Sequence, residues 1–198
     1  MRVHVVHAHP VEGSYNKALF KAACETIEKS GHELDALDLY AEAFDAVLSR
    51  EERLGYHDVP GNLTPQVRPY VDRLMAADAL VFVHPVWNFG YPAILKGYFD
   101  RIFLPGVSFR MSDGPERGKL VPNLHHIRKV VFVATYGGNR LRAWTMGDPP
   151  RLMARRWAWA TFRTPRPPRY LALYDMNNNR EPELAAFKAQ VEETMRTL

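Results

Sequence analysis

The stretch LVFVHPVWNFGYPAILKGYFDRIF, residues 80–103, predicts a strand, a turn and a helix in direct succession. Residues 80–83 are all apolar, which is typical of a strand buried on both faces, and residues 91–103 predict a helix with Pro92 near its first turn. Gly90 and Pro92 are expected to hold the turn. The turn also carries three aromatic residues, Trp87, Phe89 and Tyr91. A simple chain reversal needs none of these, so they either receive a flat ligand or cover the end of the sheet.

The rest of the chain alternates strands with helices in the same way. Further strands are predicted at 3–8, 34–39, 130–134 and 170–174. Helices are predicted at 17–29, 67–76 and 183–198, with a partly helical region, 141–160, that Pro149 and Pro150 interrupt. Segments 40–65 and 105–122 are predicted to be irregular. Strands separated by helices indicate a parallel sheet covered on both faces, so the sequence predicts one doubly wound α/β domain over residues 1–198.

Composition and missing motifs exclude several classes of protein. The 198 residues are 46% hydrophobic, which is enough for a substantial core. The single cysteine, Cys24, excludes a disulfide and a multi-cysteine metal site, and its helical spacing predicts a buried thiol. The adjacent His125 and His126 have no carboxylate or cysteine in register with them, so no metal site is expected. Neither the G-x-G-x-x-G dinucleotide fingerprint nor a P-loop is present.

Charge and hydropathy limit the partners. A net charge of +4 is too mild for a nucleic-acid binder. No window approaches the ~20 apolar residues of a membrane span, so the chain is expected to lie in the cytoplasm without membrane insertion. Much of the positive charge lies in a segment, 151–169, that contains no acidic residue. It is either a solvated surface or a landing site for an anionic cofactor, an anionic lipid surface or an acidic partner.

Three loops should carry the chemistry, because ligands of open parallel sheets bind outside the carboxyl ends of the strands. In HAHPVEGSYN, residues 7–16, Ser14 and Asn16 stand at the mouth of a helix, where they bind a phosphate or simply cap the helix. Asn88 offers an amide suited to the edge of a heteroaromatic ring. The paired glycines of TYGGNR, residues 135–140, allow close backbone approach to a ligand or form an ordinary turn.

Five passages in the first 140 residues match a known family in order and spacing. They are HAHPVEGSYN (7–16), DLYAEAFDAVLSREE (38–52), FVHPVWNFGYPAILKGYFDRIF (82–103), a loop at 105–118 with Asp113, Gly114 and Pro115, and ATYGG (134–138). The chain resembles the flavodoxin-like NAD(P)H:quinone oxidoreductases, a group that includes quinone reductases, modulator-of-drug-activity proteins and potassium-efflux ancillary proteins. The third passage is the most specific of the five.

The resemblance implies a fold, a cofactor and a set of site residues. The fold is the five-stranded flavodoxin-like sheet of order 2-1-3-4-5, and the cofactor is FMN, with FAD as an alternative used by relatives. Asn88 and Tyr136 are the implied catalytic residues. The family's phosphate-binding loop is matched by His9, Ser14, Tyr15 and Asn16. The loop under the flavin ring is matched by Pro85, Val86, Trp87, Asn88 and Phe89, and the loop on the other edge of the ring by Thr135, Tyr136, Gly137 and Gly138.

The resemblance also implies an activity and partners. The activity is two-electron transfer from NAD(P)H through the flavin to a quinone-like acceptor with ping-pong kinetics. A transporter-associated regulatory subunit and an FMN-dependent azo or nitro reductase are the alternatives. Homodimers are implied through the helix at 93–103, whose apolar residues would serve both its own sheet and a partner, or only its own core. Asn88 replaces a tryptophan of many quinone reductases, and Ala143 and Trp144 stand in the region of their catalytic tyrosine and histidine.

Overall fold

Five parallel strands form the centre of the structure, a computed structural model that describes residues 1–112 and 118–198. The described residues form seven strands, of which β4 and β5 lie outside this sheet: β1 (Arg2–His7), β2 (Glu33–Asp38), β3 (Ala79–Val86), β4 (Phe109–Met111), β5 (Leu120–Pro122), β6 (Lys129–Tyr136) and β7 (Arg169–Leu173). The main sheet has the order β2-β1-β3-β6-β7. Because β4 and β5 form a separate antiparallel ribbon, this order is the predicted 2-1-3-4-5, and the flavodoxin-like prediction is confirmed.

Helices cover both faces of the sheet. They are α1 (Tyr15–Lys29), α2 (Arg50–Leu54), α3 (Arg68–Ala76), α4 (Ala93–Ile102), α5 (Arg140–Thr145), α6 (Pro149–Leu152), α7 (Ala158–Phe162) and α8 (Glu181–Arg196). α1 and α8 pack on one face, and α3, α4 and α7 pack on the other. Each face therefore buries its own apolar cluster, as expected of a doubly wound domain. None of the helices in the described ranges is both long and apolar enough to cross a bilayer.

Strand β3 is longer than the prediction of 80–83, because it continues through Pro85 to Val86. Proline is tolerated here because β1 stops pairing with β3 at Val83, while β6 continues beside it to Val86. The Val83 carbonyl accepts a hydrogen bond from the Ala8 N–H at the end of β1, and Pro85, two residues later, faces the same side of the strand. Since β1 has ended at that point, the N–H group that proline lacks would have had no strand partner there. The extension carries the aromatic turn beyond the edge of the sheet.

Two other segments differ from the prediction. The segment 105–122, predicted to be irregular, contains the β4-β5 ribbon; Asp113, Gly114 and Pro115 of the matching loop lie outside the described residues. Pro149 and Pro150 begin α6, so they start a helix after a break, and a π-helical turn, Met153–Trp157, links α6 to α7. Proline suits the first turn of a helix because its missing N–H would have no partner there.

Burial settles the structural roles of Cys24 and α4. Cys24 is buried, as predicted, and burial raises the pKa of its thiol to about 12. On α4, Leu95, Tyr98 and Ile102 are fully buried against the sheet. The outward face of α4 carries an ion pair between Lys96 and Asp100 instead, with Nζ and Oδ1 2.5 Å apart. These three residues serve the chain's own core, and the further prediction that α4 also contacts a partner stays a prediction.

The buried histidine of β3 should make stability depend on pH. His84 is fully buried, and desolvation lowers its pKa from 6.5 to about 4. Between these values the unfolded chain binds a proton that the folded chain excludes, so stability falls as pH falls. We expect His84 alone to lower the free energy of unfolding by about 2 kcal/mol when the pH falls from 7 to 5.

Urea unfolding of the wild type and of His84→Gln at both pH values measures this effect. The variant should lose about 2 kcal/mol of the pH dependence, leaving the part due to other groups. Equal pH dependence in the two proteins would show that His84 is protonated as readily in the folded state as in the unfolded one.

Candidate functional site

The three predicted loops meet at the carboxyl edge of the sheet and line two adjoining cavities. The cavity at the N-terminus of α1, called the mouth cavity, has a volume of about 250 Å³. The cavity beside the aromatic turn, called the turn cavity, has a volume of about 180 Å³. Val86 and Gly137 line both, so the cavities form one crevice.

Every predicted binding residue lies in this crevice. The mouth cavity contains His9, Ser14, Tyr15, Asn16, Pro85, Val86, Trp87, Thr135 and Gly137, together with Met176 and Asn177. The turn cavity contains Val86, Asn88, Phe89, Tyr136, Gly137 and Gly138, together with Asn139, Arg142 and Ala143. The fold thus brings together residues that are more than 120 positions apart in the sequence.

The N-terminus of α1 supplies an environment for an anion. The Ser14 hydroxyl accepts a hydrogen bond from the Lys17 N–H at 3.1 Å, so the capping role left open by the sequence is present. The backbone N–H groups of Tyr15 and Asn16 donate no hydrogen bond within the described residues. With the helix dipole, such free donors favour a negative group in the mouth cavity.

Asn16 carries a buried acceptor without a partner. Its side chain is 2% exposed, and Nδ2 donates to Thr135 Oγ1 at 3.1 Å. Its Oδ1 atom is buried and accepts no hydrogen bond from the described residues. A buried acceptor left unpaired is costly, so the arrangement suits a ligand that brings a donor to the mouth cavity.

A cluster of charged side chains holds the loop between β1 and α1. Lys17 Nζ lies 2.5 Å from Asp38 Oδ2 and 2.6 Å from Glu12 Oε1, and His7 Nδ1 lies 2.9 Å from Asp38 Oδ2. Burial acts to raise the pKa of Asp38, but the hydrogen bonds from Lys17 and His7 outweigh it and lower the pKa below its usual range. Asp38 therefore stays ionised and holds Lys17 in place.

The aromatic turn is a tight hairpin. Trp87 and Gly90 exchange backbone hydrogen bonds of 3.2 and 2.9 Å. The left-handed positions are Asn88, with φ 48°, and Phe89, with φ 58°, whereas Gly90 lies outside that region. Gly90 therefore closes the turn through its backbone hydrogen bonds, as expected, while the left-handed conformation falls on Asn88, which tolerates it well, and on Phe89, which adopts it under strain. Backbone strain of this kind is concentrated at binding sites.

A tyrosine cluster that sequence reasoning missed anchors Tyr136. The Tyr136 hydroxyl lies 2.6 Å from both Asp148 Oδ1 and the Tyr170 hydroxyl, and the Tyr174 hydroxyl donates to Asp148 Oδ2 at 2.7 Å. Burial, followed by these neighbours, raises the pKa of Tyr136 well above its usual range. Asp148 itself has φ 44°, and Arg151 lies over the Tyr170 ring at 5.4 Å. The hydroxyl of Tyr136 is therefore fixed and protonated.

Sequence reasoning also missed lining residues from the end of the sheet. Met176 and Asn177 belong to a 3-10 turn that follows β7, and the Asp175 N–H donates to the Gly138 carbonyl at 2.9 Å. The sequence could have indicated these residues, because they follow the fifth predicted strand. Its carboxyl end lies at the same edge of the sheet as the ends of the strands that carry the three predicted loops.

The family follows from a comparison with known proteins. A model of the Flavodoxin_2 family, described as a flavodoxin-like fold, matches residues 1–195. The chain belongs to this family. Among solved structures, the NAD(P)H:quinone oxidoreductase from Methanothermobacter marburgensis has TM-score 0.81 over 99% of this chain and 98% of that chain, at 23% identity. This similarity independently supports the flavodoxin-like fold.

Two curated relatives of this flavodoxin-like chain carry enzyme names. The NAD(P)H dehydrogenase (quinone) 1 of Cavia porcellus is 31% identical over 153 residues, covering 70% of this chain and 54% of the relative. The FMN-dependent NADH:quinone oxidoreductase of Bacillus velezensis is 28% identical over 145 residues, covering 67% of this chain and 66% of the relative. The match thus spans about half the length of the mammalian relative.

Proposed function

We propose that the chain is an NAD(P)H-dependent flavin oxidoreductase that passes two electrons to a quinone or a similar small acceptor. The observation that carries the proposal is the union of two environments in one crevice: a helix N-terminus with free N–H donors and an aromatic turn. A flavin needs both, one for its phosphate and one for its ring. The names of the two curated relatives support the same chemistry.

The proposed cofactor is FMN, with FAD as the alternative. His9, Ser14, Tyr15 and Asn16 would hold the phosphate end, and the segments 85–89 and 135–138 would hold the ring. The unpaired Asn16 Oδ1 fits a cofactor that brings hydroxyl or N–H donors. The name of the Bacillus relative, which specifies FMN, favours this choice.

When bound, the flavin supplies the redox chemistry, in which NAD(P)H, a proton and a quinone yield NAD(P)⁺ and a hydroquinone. Asn88 and Tyr136 are the proposed catalytic residues. The Asn88 side chain is exposed on the turn, where its amide offers a hydrogen-bond donor to a ring edge. The Tyr136 hydroxyl, held by Asp148, stays protonated and fixes one wall of the turn cavity. One shared crevice requires donor and acceptor to alternate, which implies ping-pong kinetics.

We further propose a cytoplasmic homodimer. A groove of about 540 Å³ runs beside α4 and has largely apolar walls that include Phe99, Phe103, Leu120 and Trp157. Leu120 is 65% exposed in the single chain. Exposed apolar surface of this kind is typical of an interface, so the groove, which includes Phe99 of α4, is the proposed contact.

The alternative of a transporter-associated regulatory subunit relied on segment 151–169 as one docking surface. The structure divides that segment. Arg155 and Arg156 are exposed on the helical segment, whereas Arg166 and Arg169 line a separate cavity with Arg128 and Lys129. Arg151 faces Asp148 and Tyr170 instead. The positive charge thus serves several places, and the segment does not form one surface.

Absorbance spectroscopy tests the proposed function. With FMN supplied, the ~450 nm flavin band should appear, bleach on anaerobic addition of NADPH or NADH, and return on addition of benzoquinone. Asn16→Leu should weaken FMN binding by at least about tenfold, since a polar contact to the ligand is lost. Asn62→Leu is the matched control, because Asn62 is also buried with an unpaired Oδ1 but lies outside the crevice.

Two results would contradict the proposal. If FMN does not bind, the site assignment fails. If FMN binds but nicotinamide does not bleach it, a regulatory or carrier function is favoured over the enzyme.

A further inference from the structure

A second cavity lies at the amino edge of the sheet, at the opposite ends of the strands from the crevice. It has a volume of about 320 Å³, and its walls come from the starts of β6 and β7, the loop before β7 and the end of α8. Within the described residues its lining contains no acidic side chain and four basic ones, Arg128, Lys129, Arg166 and Arg169. This cavity, called the basic cavity, is separate from the proposed flavin site.

The register of the sheet brings two of these cations to the same face. Arg169 is the partner of Val131 in the pairing of β7 with β6, and Lys129 lies two positions before Val131. Side chains alternate along a strand, so Lys129 and Arg169 both lie on the face of Val131, which is the face that α8 covers. The Lys129 ammonium accordingly donates to the Thr197 carbonyl at 3.4 Å. Like charges placed side by side repel each other.

The three arginines of the basic cavity have no partner on the protein. The guanidinium groups of Arg128, Arg166 and Arg169 make no ion pair and no hydrogen bond within the described residues. Glu193, on the last turn of α8, pairs with Arg196 instead. The repulsion among the cations is therefore not offset by an acidic side chain, and an anion in the cavity would relieve it.

The structural alternative is that the cations only neutralise the end of α8. A helix C-terminus carries about half a negative charge, and Lys129 already meets it at the Thr197 carbonyl. A carboxylate on Leu198, the last residue of the sequence, would add one more negative charge. Positive charge would still exceed negative charge, so the end of the helix accounts for at most two of the four cations.

We propose that the basic cavity binds a small molecule that carries linked phosphate groups. Arginine presents a planar fork of N–H donors that matches phosphate oxygens. The three arginines belong to the segment before β6, the loop before β7 and the start of β7, so they approach the cavity from separate parts of the chain. Linked phosphates present oxygen atoms on several sides, whereas a single carboxylate presents two. The concave shape favours a free phosphate compound over the phosphates of a lipid surface.

Calorimetric titration of the FMN-loaded protein with pyrophosphate tests the proposal. Bound FMN occupies the mouth cavity, so the probe cannot bind at the N-terminus of α1. At 0.15 M NaCl we expect a Kd for pyrophosphate of about 100 μM or lower, at least about tenfold tighter than for orthophosphate. The affinity should fall as the salt concentration rises, because salt screens exposed charges.

Variants of the arginines locate the site. Arg166→Gln combined with Arg169→Gln should weaken pyrophosphate binding by at least about tenfold. Arg155→Gln is the matched control, because Arg155 is an exposed arginine of the same basic segment outside the cavity lining, and its Kd should change by less than about twofold. Without pyrophosphate, the double variant should melt at the same temperature as the wild type or higher, because repulsion between cations is relieved.

Four results would overturn the proposal. The first is that pyrophosphate does not bind the wild type below about 1 mM. The second is an equal loss of affinity in Arg155→Gln, which would show non-specific attraction. The third is a lower melting temperature of the double variant without pyrophosphate, which would show that the arginines stabilise the end of α8. The fourth is sedimentation with phosphatidylglycerol vesicles without pyrophosphate binding, which would assign the arginines to a lipid surface.

The outcome for the basic cavity is independent of the outcome for the crevice. If FMN does not bind, the proposed function fails, and the same variants test the basic cavity in the flavin-free protein. If FMN binds and pyrophosphate does not, the proposed function stands and only the phosphate site is wrong.

Discussion

Gly97→Ala should lower the free energy of unfolding by about 3 kcal/mol, although alanine is normally the better helix former. Gly97 lies inside α4, where a glycine should cost about 1 kcal/mol relative to alanine. A Cβ atom added there would lie 2.6 Å from Ala46 Cα and closer still to the Ala46 carbonyl oxygen. The obstacle is backbone, which cannot rotate away, so α4 or the segment at Ala46 must shift.

The neighbouring contacts make such a shift expensive. The Arg101 guanidinium, one turn after Gly97, is bound by the Asp45 carbonyl and by Glu52, so α4 and the segment after β2 are locked together. Separating them would weaken an ion pair in which both side chains are 10% exposed or less.

Thermal and urea unfolding of Gly97→Ala measure the effect. A loss of about 3 kcal/mol corresponds to a decrease in Tm of about 6–12 °C for a domain of this size. Gly55→Ala is the control, because Gly55 has φ −82° and its nearest neighbour would be 3.5 Å from the new Cβ. If Gly97→Ala is as stable as the wild type or more so, helix propensity outweighs packing and the close approach is not essential.

The sequence predicted the parts of the fold that depend on local pattern. Apolar runs and helical spacing were enough for the five strands and for α1, α4 and α8, and the flavodoxin-like order then followed from the resemblance. The exact ends were less predictable. The extension of β3 through Pro85 depends on where β1 stops, which is a property of the neighbouring strand and leaves no mark in the local sequence.

The site was predictable where its residues follow a strand directly. The loops after β1, β3 and β6 were recognised in this way, and all of their predicted residues line the crevice. The support for Tyr136 was not predictable, because Asp148 and Tyr170 reach it from separate elements. The same holds for α4: the sequence shows that Ile102 is apolar, but only the packed structure shows that the sheet buries all of it.

Removing the carboxylate of Asp38 should cost more than any surface substitution, because it would strand a buried lysine. The Lys17 side chain is 9% exposed, and Asp38 is its buried partner, while Glu12 is 72% exposed. Asp38 Oδ1 also accepts from the Tyr40 and Ala41 N–H groups at 3.0 and 3.1 Å. We expect Asp38→Ala to lose about 3–5 kcal/mol of unfolding free energy, as is typical when one partner of a buried ion pair is removed.

The cost should come mainly from the unpaired charge, and a double-mutant cycle can show this. Lys17→Met combined with Asp38→Ala should be more stable than Asp38→Ala alone, because no lone charge is left buried. Glu12→Ala, which removes only the exposed partner, should cost less than about 1 kcal/mol. Urea unfolding of the wild type, Lys17→Met, Asp38→Ala and the double variant gives the four values of the cycle, and unfolding of Glu12→Ala is measured beside them. FMN binding should weaken in Asp38→Ala and partly recover in the double variant, since Lys17 follows Asn16 in the first turn of α1. If the double variant is no more stable than Asp38→Ala, the stability comes from the turn at Tyr40 and Ala41, and the charge of Lys17 does not need Asp38.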